Sequence, residues 1–317
     1  MHTYSLSGYG SMIADSRRIH AYECAMRQIV KPGAVVVDLG AGAGVFALLA
    51  CRLGARKVFA IEPGNIIQLA REIARANGFD DRIEFIQRVS SDVSLPERAD
   101  TVISDIHGVL PLFQEHIPIV VDARQRLLAP GGALIPQTET IWMAVAEAPE
   151  QYGTLAGAWD HHYGLDMRAG RRFATNTVSK TRVERDQLLV EPECWTTLDY
   201  TRVDNPNVRG SMTWTVSRAG TAHGLVAWFD ATLAHGVRFS NAPGEPEMIF
   251  GQAFFPLSKP VRLAAGDVVS VGLEAKLVNG DYVWRWNTRV REEDFEQSTF
   301  SGMLLSLDHL KKWRASH

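Results

Sequence analysis

Asp38, Gly40, Gly42, Gly44 and Glu62 fall in the order acid, glycine loop, acid, and together they could hold a nucleoside. Residues without a Cβ let the backbone turn sharply and approach a ligand closely, and a helix that follows such a loop offers its free N–H groups. Glu62 stands 18 residues beyond Gly44, at the end of the next apolar run, where a carboxylate can accept hydrogen bonds from both hydroxyls of a ribose. The spacing is G-x-G-x-G and lacks the glycine three residues after the second that a pyrophosphate-binding turn prefers. That departure favours S-adenosylmethionine over NAD. The polar pair Ser90-Ser91 follows in the order suited to adenine, and Arg18 upstream presents a planar fork of donors for a carboxylate. A glycine turn alone is more often a tight connection, and an isolated arginine beside Arg17 is more often merely solvated. The ordered set carries the ligand reading.

Those residues need a parallel sheet beneath them. From about residue 10 to 136, short β-branched runs alternate with amphipathic stretches, the signature of a Rossmann-like α/β fold. Strands are expected at 34–38, 57–62, 83–87, 101–105 and 133–135, with helices near 45–53, 65–77 and 114–128 and a turn at Pro130-Gly131-Gly132. Beyond Pro136 the texture becomes alternating and antiparallel, and Asn279-Gly280 is a hairpin signal. The fold class is therefore α/β followed by an antiparallel β structure, divided as 1–136 and 137–317. A segment at about 147–180, rich in aromatic and charged residues, is needed by neither sheet and reads as a projecting arm. Leu304, Leu307, Leu310 and Trp313 recur at helical spacing in the tail and read as core packing.

The 317 residues, 46% of them hydrophobic, suffice for two cores. A formal charge of -3 provides no basic field, so nucleic acid is not expected as a partner. Cys24, Cys51 and Cys194 lie far apart and suggest neither a disulfide framework nor a metal site. The N-terminus has the marks of neither a transit nor a signal peptide, and no apolar run reaches membrane-spanning length. A cytoplasmic location without membrane contact is the expectation. Trp142, Trp284 and Trp286 read as barrel filling.

The chain resembles the protein arginine methyltransferases along nearly all its length. GYGSMIADSRRIHAY resembles the family's lid helix, with Met12, Asp15 and Arg18 at the recurring spacing. WDHHYGLDM at 159–167 resembles its dimerisation arm, and HGLVAWFDATL followed by FSNAPGEPE resembles its barrel. The resemblance implies S-adenosylmethionine as cofactor, Arg18 on its methionine carboxylate, Met12 in the same pocket, an antiparallel β-barrel substrate domain over 137–317, an arm inserted in the barrel and a homodimer.

The acceptor loop, ISDIHGVLPLFQEHI, departs from the family's pair of glutamates. Asp105 matches the first, shortened by one methylene, and Glu115 is the nearest match to the second, with Pro111 as a candidate insertion. Met248-Ile249-Phe250 stands where the family has Thr-His-Trp, so the histidine is absent. His107 stands two residues after Asp105 in place of a methionine, and it can take a proton near neutral pH. Asp15, which supports the missing histidine in the family, is a candidate to orient His107. The catalytic candidates are thus Asp105, His107, Glu115 and Asp15, with Asp105 also at the cofactor edge. Three readings fit: methyl transfer to nitrogen or oxygen of a small molecule or peptide, which the altered loop favours; arginine methylation by an adapted acidic pair; and an inactive dimeric scaffold, which has no need of an intact cofactor pocket. A nicotinamide dehydrogenase is a more distant fourth.

Overall fold

A computed structural model describes residues 4–304, so the tail stripe beyond Leu304 lies outside the described residues. Five strands form the first sheet: β1 (Val35–Leu39), β2 (Lys57–Ile61), β3 (Ile83–Ile86), β4 (Ala99–Ser104) and β5 (Leu128–Ile135). Their order is β3-β2-β1-β4-β5, and every pair is parallel. All five residues of β1 are buried, and a strand covered on both faces reads as a continuous apolar run. The order reverses between β1 and β4, the crevice where ligands bind in open α/β sheets. Gly40 and Asp105 directly follow these two strands.

Helices α1 (Leu6–Ala14) and α2 (Ser16–Ile29) precede the sheet, and α3 (Val45–Arg52), α4 (Ile67–Ala76) and α5 (His116–Arg126) connect its strands. Helix α2 starts at Asp15, whose side chain accepts the Arg18 N–H. It buries Arg18, Tyr22, Ala25 and Met26, one stripe at helical spacing. Helix α1 buries none of its residues. The expected turn at 130–132 lies inside β5, where Gly131 takes a positive φ of 77° and the pairing with β4 shifts register.

The second half supplies a six-stranded sheet built on β6 (Thr138–Ala146), β9 (Ser179–Thr181), β10 (Glu193–Asp199), β12 (Gly220–Ala234), β13 (Val237–Ser240) and β14 (Gln252–Leu263). A four-stranded sheet, β11 (Val208–Thr215), β15 (Val268–Val278), β16 (Asp281–Val290) and β17 (Glu293–Ser298), accompanies it. Asn279 and Gly280 both take positive φ, 51° and 86°, as a tight β15–β16 hairpin requires. Trp284 and Trp286 are buried on β16. The arm region holds α6 (Pro149–Ala156) and the two-residue strands β7 (His161–His162) and β8 (Leu165–Asp166), with Tyr163 fully exposed at the bend.

The chain divides into two compact units at places other than the expected boundary after 136. The first unit comprises 1–142 with 196–206 and 228–251; the second takes the remainder. Segments far along the chain thus belong with the α/β core, and every site residue described below lies in that first unit.

Candidate active site

The glycine loop is shaped by its neighbours. Gly40, Gly42 and Gly44 have φ of 71°, 52° and 83°, a region that side chains with a Cβ rarely adopt. A Cβ on Gly40 would stand 2.7 Å from Ile106, and one on Gly42 would stand 3.1 Å from Tyr9. The acceptor loop and α1 therefore pass directly against the glycine turn. Gly44 caps α3. Glu62 Oε2 accepts the Gly42 N–H at 3.1 Å and Oε1 accepts the Gly64 N–H at 2.7 Å, which fixes the carboxylate while leaving each oxygen a further lone pair. Burial, reinforced by Glu62 and Tyr4, pushes the Tyr9 hydroxyl up to about 12, so it stays a donor.

Asp38 is buried inside the turn, and its Oδ2 accepts the Ala47 N–H at 2.9 Å in the first turn of α3. Burial pushes its carboxyl up to about 7, with the Ala47 hydrogen bond opposing and Glu62 reinforcing. Ser90 is buried and its carbonyl accepts from Arg126 at 3.0 Å, whereas Ser91 is exposed. The two serines thus present different faces of one turn.

Arg18 is 6% exposed. Its Nη2 donates to the Met12 carbonyl at 2.7 Å, its Nη1 pairs with Asp105 Oδ2, and its plane lies over Phe46, 5.6 Å from the ring centroid. Its Nε is buried without a partner. A buried guanidinium N–H needs an acceptor, because leaving it bare costs its full desolvation. The carboxylate of a methionine moiety would supply one, so the group S-adenosylmethionine fits the set of Arg18, the glycine turn and Glu62.

Asp105 stands one residue past β4. Its Oδ1 accepts the Tyr22 hydroxyl at 3.0 Å and lies 3.1 Å from His107 Nδ1. Tyr22 itself is fully buried, stacked on Phe46 at 4.5 Å between centroids, and burial holds its hydroxyl protonated. The Nδ1 approach has the distance of an ion pair but not the alignment of a hydrogen bond. On its other side His107 Nε2 bonds Glu139 Oε2 at 3.1 Å, with Oε1 at 3.0 Å. Glu139, completely buried on β6, also accepts the Tyr200 hydroxyl. Around the His107 ring pack His116, Phe229 and Phe250, 5.1, 5.5 and 5.6 Å away between centroids.

The carboxylate that orients His107 is therefore Glu139 and not Asp15. Both Asp15 oxygens are committed elsewhere, to the N–H of Arg18 at 3.1 Å and to that of Ile249 at 2.8 Å. Asp15 thus ties α2 to the segment that carries Phe250 in place of the expected aromatic. Glu115 is exposed just before α5, and among the described residues its side chain makes no hydrogen bond or ion pair. Asp105, His107, Arg18 and the glycine turn are brought together; Glu115 is not held against them.

Glu139, Tyr200, Tyr22 and Tyr9 are absent from the sequence candidates. Glu139 had a readable signal: along β6 it is in phase with Ile141 and Met143, and a glutamate in phase with buried positions needs a partner. Tyr200 follows β10 with no comparable mark.

Residues 137–290 match the arginine methyltransferase oligomerization subdomain, and residues 23–144 match the ribosomal protein L11 methyltransferase (PrmA) family. The chain is 29% identical over 255 residues to a probable protein arginine N-methyltransferase 6 of Arabidopsis thaliana, covering 77% of this chain and 57% of that protein. It thus spans little more than half of that relative's length. Protein arginine N-methyltransferase 1 of Chlamydomonas reinhardtii is 26% identical over 283 residues, 86% of this chain and 82% of that one. Among solved structures, a chain of the Trypanosoma brucei PRMT1 enzyme-prozyme heterotetrameric complex with AdoHcy superposes with a TM-score of 0.84 at 23% identity, over 92% of this chain and 97% of that one, a likeness of fold. By these matched segments the chain resembles the protein arginine methyltransferases, and its fold is that of a class I methyltransferase.

Proposed function

We propose that the chain is an S-adenosylmethionine-dependent protein arginine N-methyltransferase. The observation that carries this reading is the contact between the two loops: the residue after Asp105, Ile106, fills the space a Cβ on Gly40 would need. A half-buried carboxylate is thereby set one residue from the turn that would cradle the cofactor, where it can hold a cationic acceptor in line. Bound there, S-adenosylmethionine supplies a methyl group on a sulfonium, released to a nucleophile in a direct displacement that leaves the C–S electron pair on sulfur. The work of the chain is alignment and removal of one proton. Arg18 holds the methionine carboxylate and Glu62 the ribose. Asp105 aligns the acceptor nitrogen, and His107, whose Nδ1 lies 3.1 Å from Asp105, takes the proton that the nitrogen sheds as the new N–C bond forms.

A second reading rests on a specific observation. Asp105 already serves Tyr22 and Arg18, and Glu115 is exposed, so a planar guanidinium lacks the second inward carboxylate that two-point pairing uses. This favours a smaller acceptor, methylated at nitrogen or oxygen. Labelled S-adenosylmethionine offered to an arginine-rich peptide, its lysine counterpart and free guanidino compounds separates the two. The first reading expects label on the arginine peptide alone, lost in Asp105→Asn. Label confined to a small acceptor would replace it. The arm and the matched oligomerization subdomain support a homodimer as the working form.

A further inference from the structure

We propose that Glu139, braced by Tyr200, is a positioning residue that keeps the neutral His107 ring protonated on Nε2 and bare on Nδ1, the nitrogen that faces Asp105. This deepens the proposed methyl transfer and rests on it for its kinetic consequence only. Neither residue belongs to the glycine turn or the acceptor loop; they come from β6 and from just beyond β10.

The argument is one of donors and acceptors. Glu139 is wholly buried and offers only acceptor oxygens when ionised. Oε2 takes the Tyr200 hydroxyl hydrogen and the Nε2–H of His107, so a proton on Nε2 gives the imidazole nitrogen its acceptor and Oε2 its second donor. A neutral imidazole then has its lone pair on Nδ1. That atom is buried, lacks a hydrogen-bond partner and sits 3.1 Å from the Asp105 oxygen. Of the two nitrogens only Nε2 is aligned for a hydrogen bond to its carboxylate, and the Asp105 oxygens already pair with Arg18 and Tyr22, so the single proton of a neutral ring is better used on Nε2. A carboxylate that holds one imidazole nitrogen so that the other can act as base is a general device, and it steadies the imidazolium once formed.

The charged and titratable groups facing His107 are few. Asp105 comes from the loop after β4, Glu139 from β6, His116 from α5 and Tyr200 from beyond β10, while Phe229 and Phe250 add uncharged rings. Arg18 and Tyr22 reach the cluster through Asp105. Burial and the neighbouring His107 push His116 down to about 4, and its Nδ1 bonds the Pro111 carbonyl at 2.9 Å, so it adds no charge near neutrality. The Glu139 carboxylate thus fixes the His107 ring from the side away from Asp105.

The first test is nitrogen NMR of histidine-labelled full-length protein, with the His107 ring assigned by its loss in His107→Gln. Near neutral pH the proposal expects Nε2 protonated and Nδ1 bare; Nδ1 protonated, or both nitrogens protonated up to alkaline pH, overturns it. The second test is the pH profile of kcat/KM. Glu139→Gln keeps the shape but removes a charge about one hydrogen bond away, so the acid limb should move down by about 1 pH unit or more, with turnover reduced roughly 10–100-fold and S-adenosylhomocysteine affinity unchanged. Tyr200→Phe frees Glu139 of one donor, so its limb should move the opposite way. A merely structural Glu139 predicts lower melting temperature with an unmoved limb in both variants, and that result also overturns the proposal. If no acceptor is methylated, the proposed function fails while the NMR result still decides the tautomer.

Discussion

Asp38 ties the protein's stability to pH in a way that Asp38→Asn isolates. Its carboxyl is raised from 3.8 to about 7, chiefly by burial. Below about pH 4 the group is protonated in both folded and unfolded chains and makes no difference between them. Between about 4 and 7 the unfolded chain sheds the proton while the folded chain keeps it, so folding is progressively disfavoured as pH rises. Above about 7 the full deficit is present. Three pKa units at about 1.4 kcal/mol each give roughly 4 kcal/mol. Asparagine does not ionise, and its carbonyl oxygen can still accept the Ala47 N–H that Asp38 accepts at 2.9 Å. Urea unfolding at fixed ionic strength should therefore show the variant gaining about 4 kcal/mol on the wild type between pH 4 and pH 8, most of it below 7. If the difference between the two proteins stays constant within about 1 kcal/mol over that range, Asp38 ionises normally and the argument is wrong. A cofactor ammonium beside Asp38 would favour its ionised form. S-adenosylhomocysteine affinity should then rise with pH through about 7 in the wild type and stay flat in the variant.

Gly40→Ala must place a Cβ at a φ of 71° and 2.7 Å from Ile106. About 1–2 kcal/mol of backbone strain and a further 1–3 kcal/mol of overpacking are expected, read as a lower unfolding midpoint and weaker S-adenosylhomocysteine binding. A normal midpoint would mean that the two loops are not in contact. Arg18→Ala should weaken calorimetric binding of S-adenosylhomocysteine by roughly 10–100-fold, the worth of about 1.5–3 kcal/mol for a hydrogen bond to a charged group. Unchanged affinity would take Arg18 out of the cofactor set. Tyr163 and Leu165 are exposed on the arm hairpin. Sedimentation should show the proposed wild-type dimer reduced to a monomer in Tyr163→Ser with Leu165→Ser, and a dimer persisting in the variant would place the contact elsewhere.

What was legible in the sequence was what is local. The glycine turn, Glu62 and the hairpin at Asn279-Gly280 announce themselves because positive φ, close approach and a strand-end acid all fall within a few residues of chain. The surroundings of His107 are not local. Glu139 is 32 residues away and Tyr200 lies 61 beyond Glu139, and nothing in the spacing of either couples them to the acceptor loop. The division of the chain was hidden for the same reason: segments at 196–206 and 228–251 belong to the unit that holds the cofactor turn, although each reads as barrel.

The departures in the acceptor loop acquire a physical sense from that distant pair. A methionine at 107 would leave the buried Glu139 carboxylate with the Tyr200 hydroxyl but without His107, and an apolar residue at 139 would leave His107 without an orienting partner. Either change alone costs a buried polar group the hydrogen bond between the two. His107 and Glu139 therefore stand or fall as a unit. The presence of that unit beside the glycine turn, Glu62 and Arg18 argues for a chain that moves protons at this site, because a scaffold gains nothing from holding a histidine between a buried carboxylate and a half-buried one.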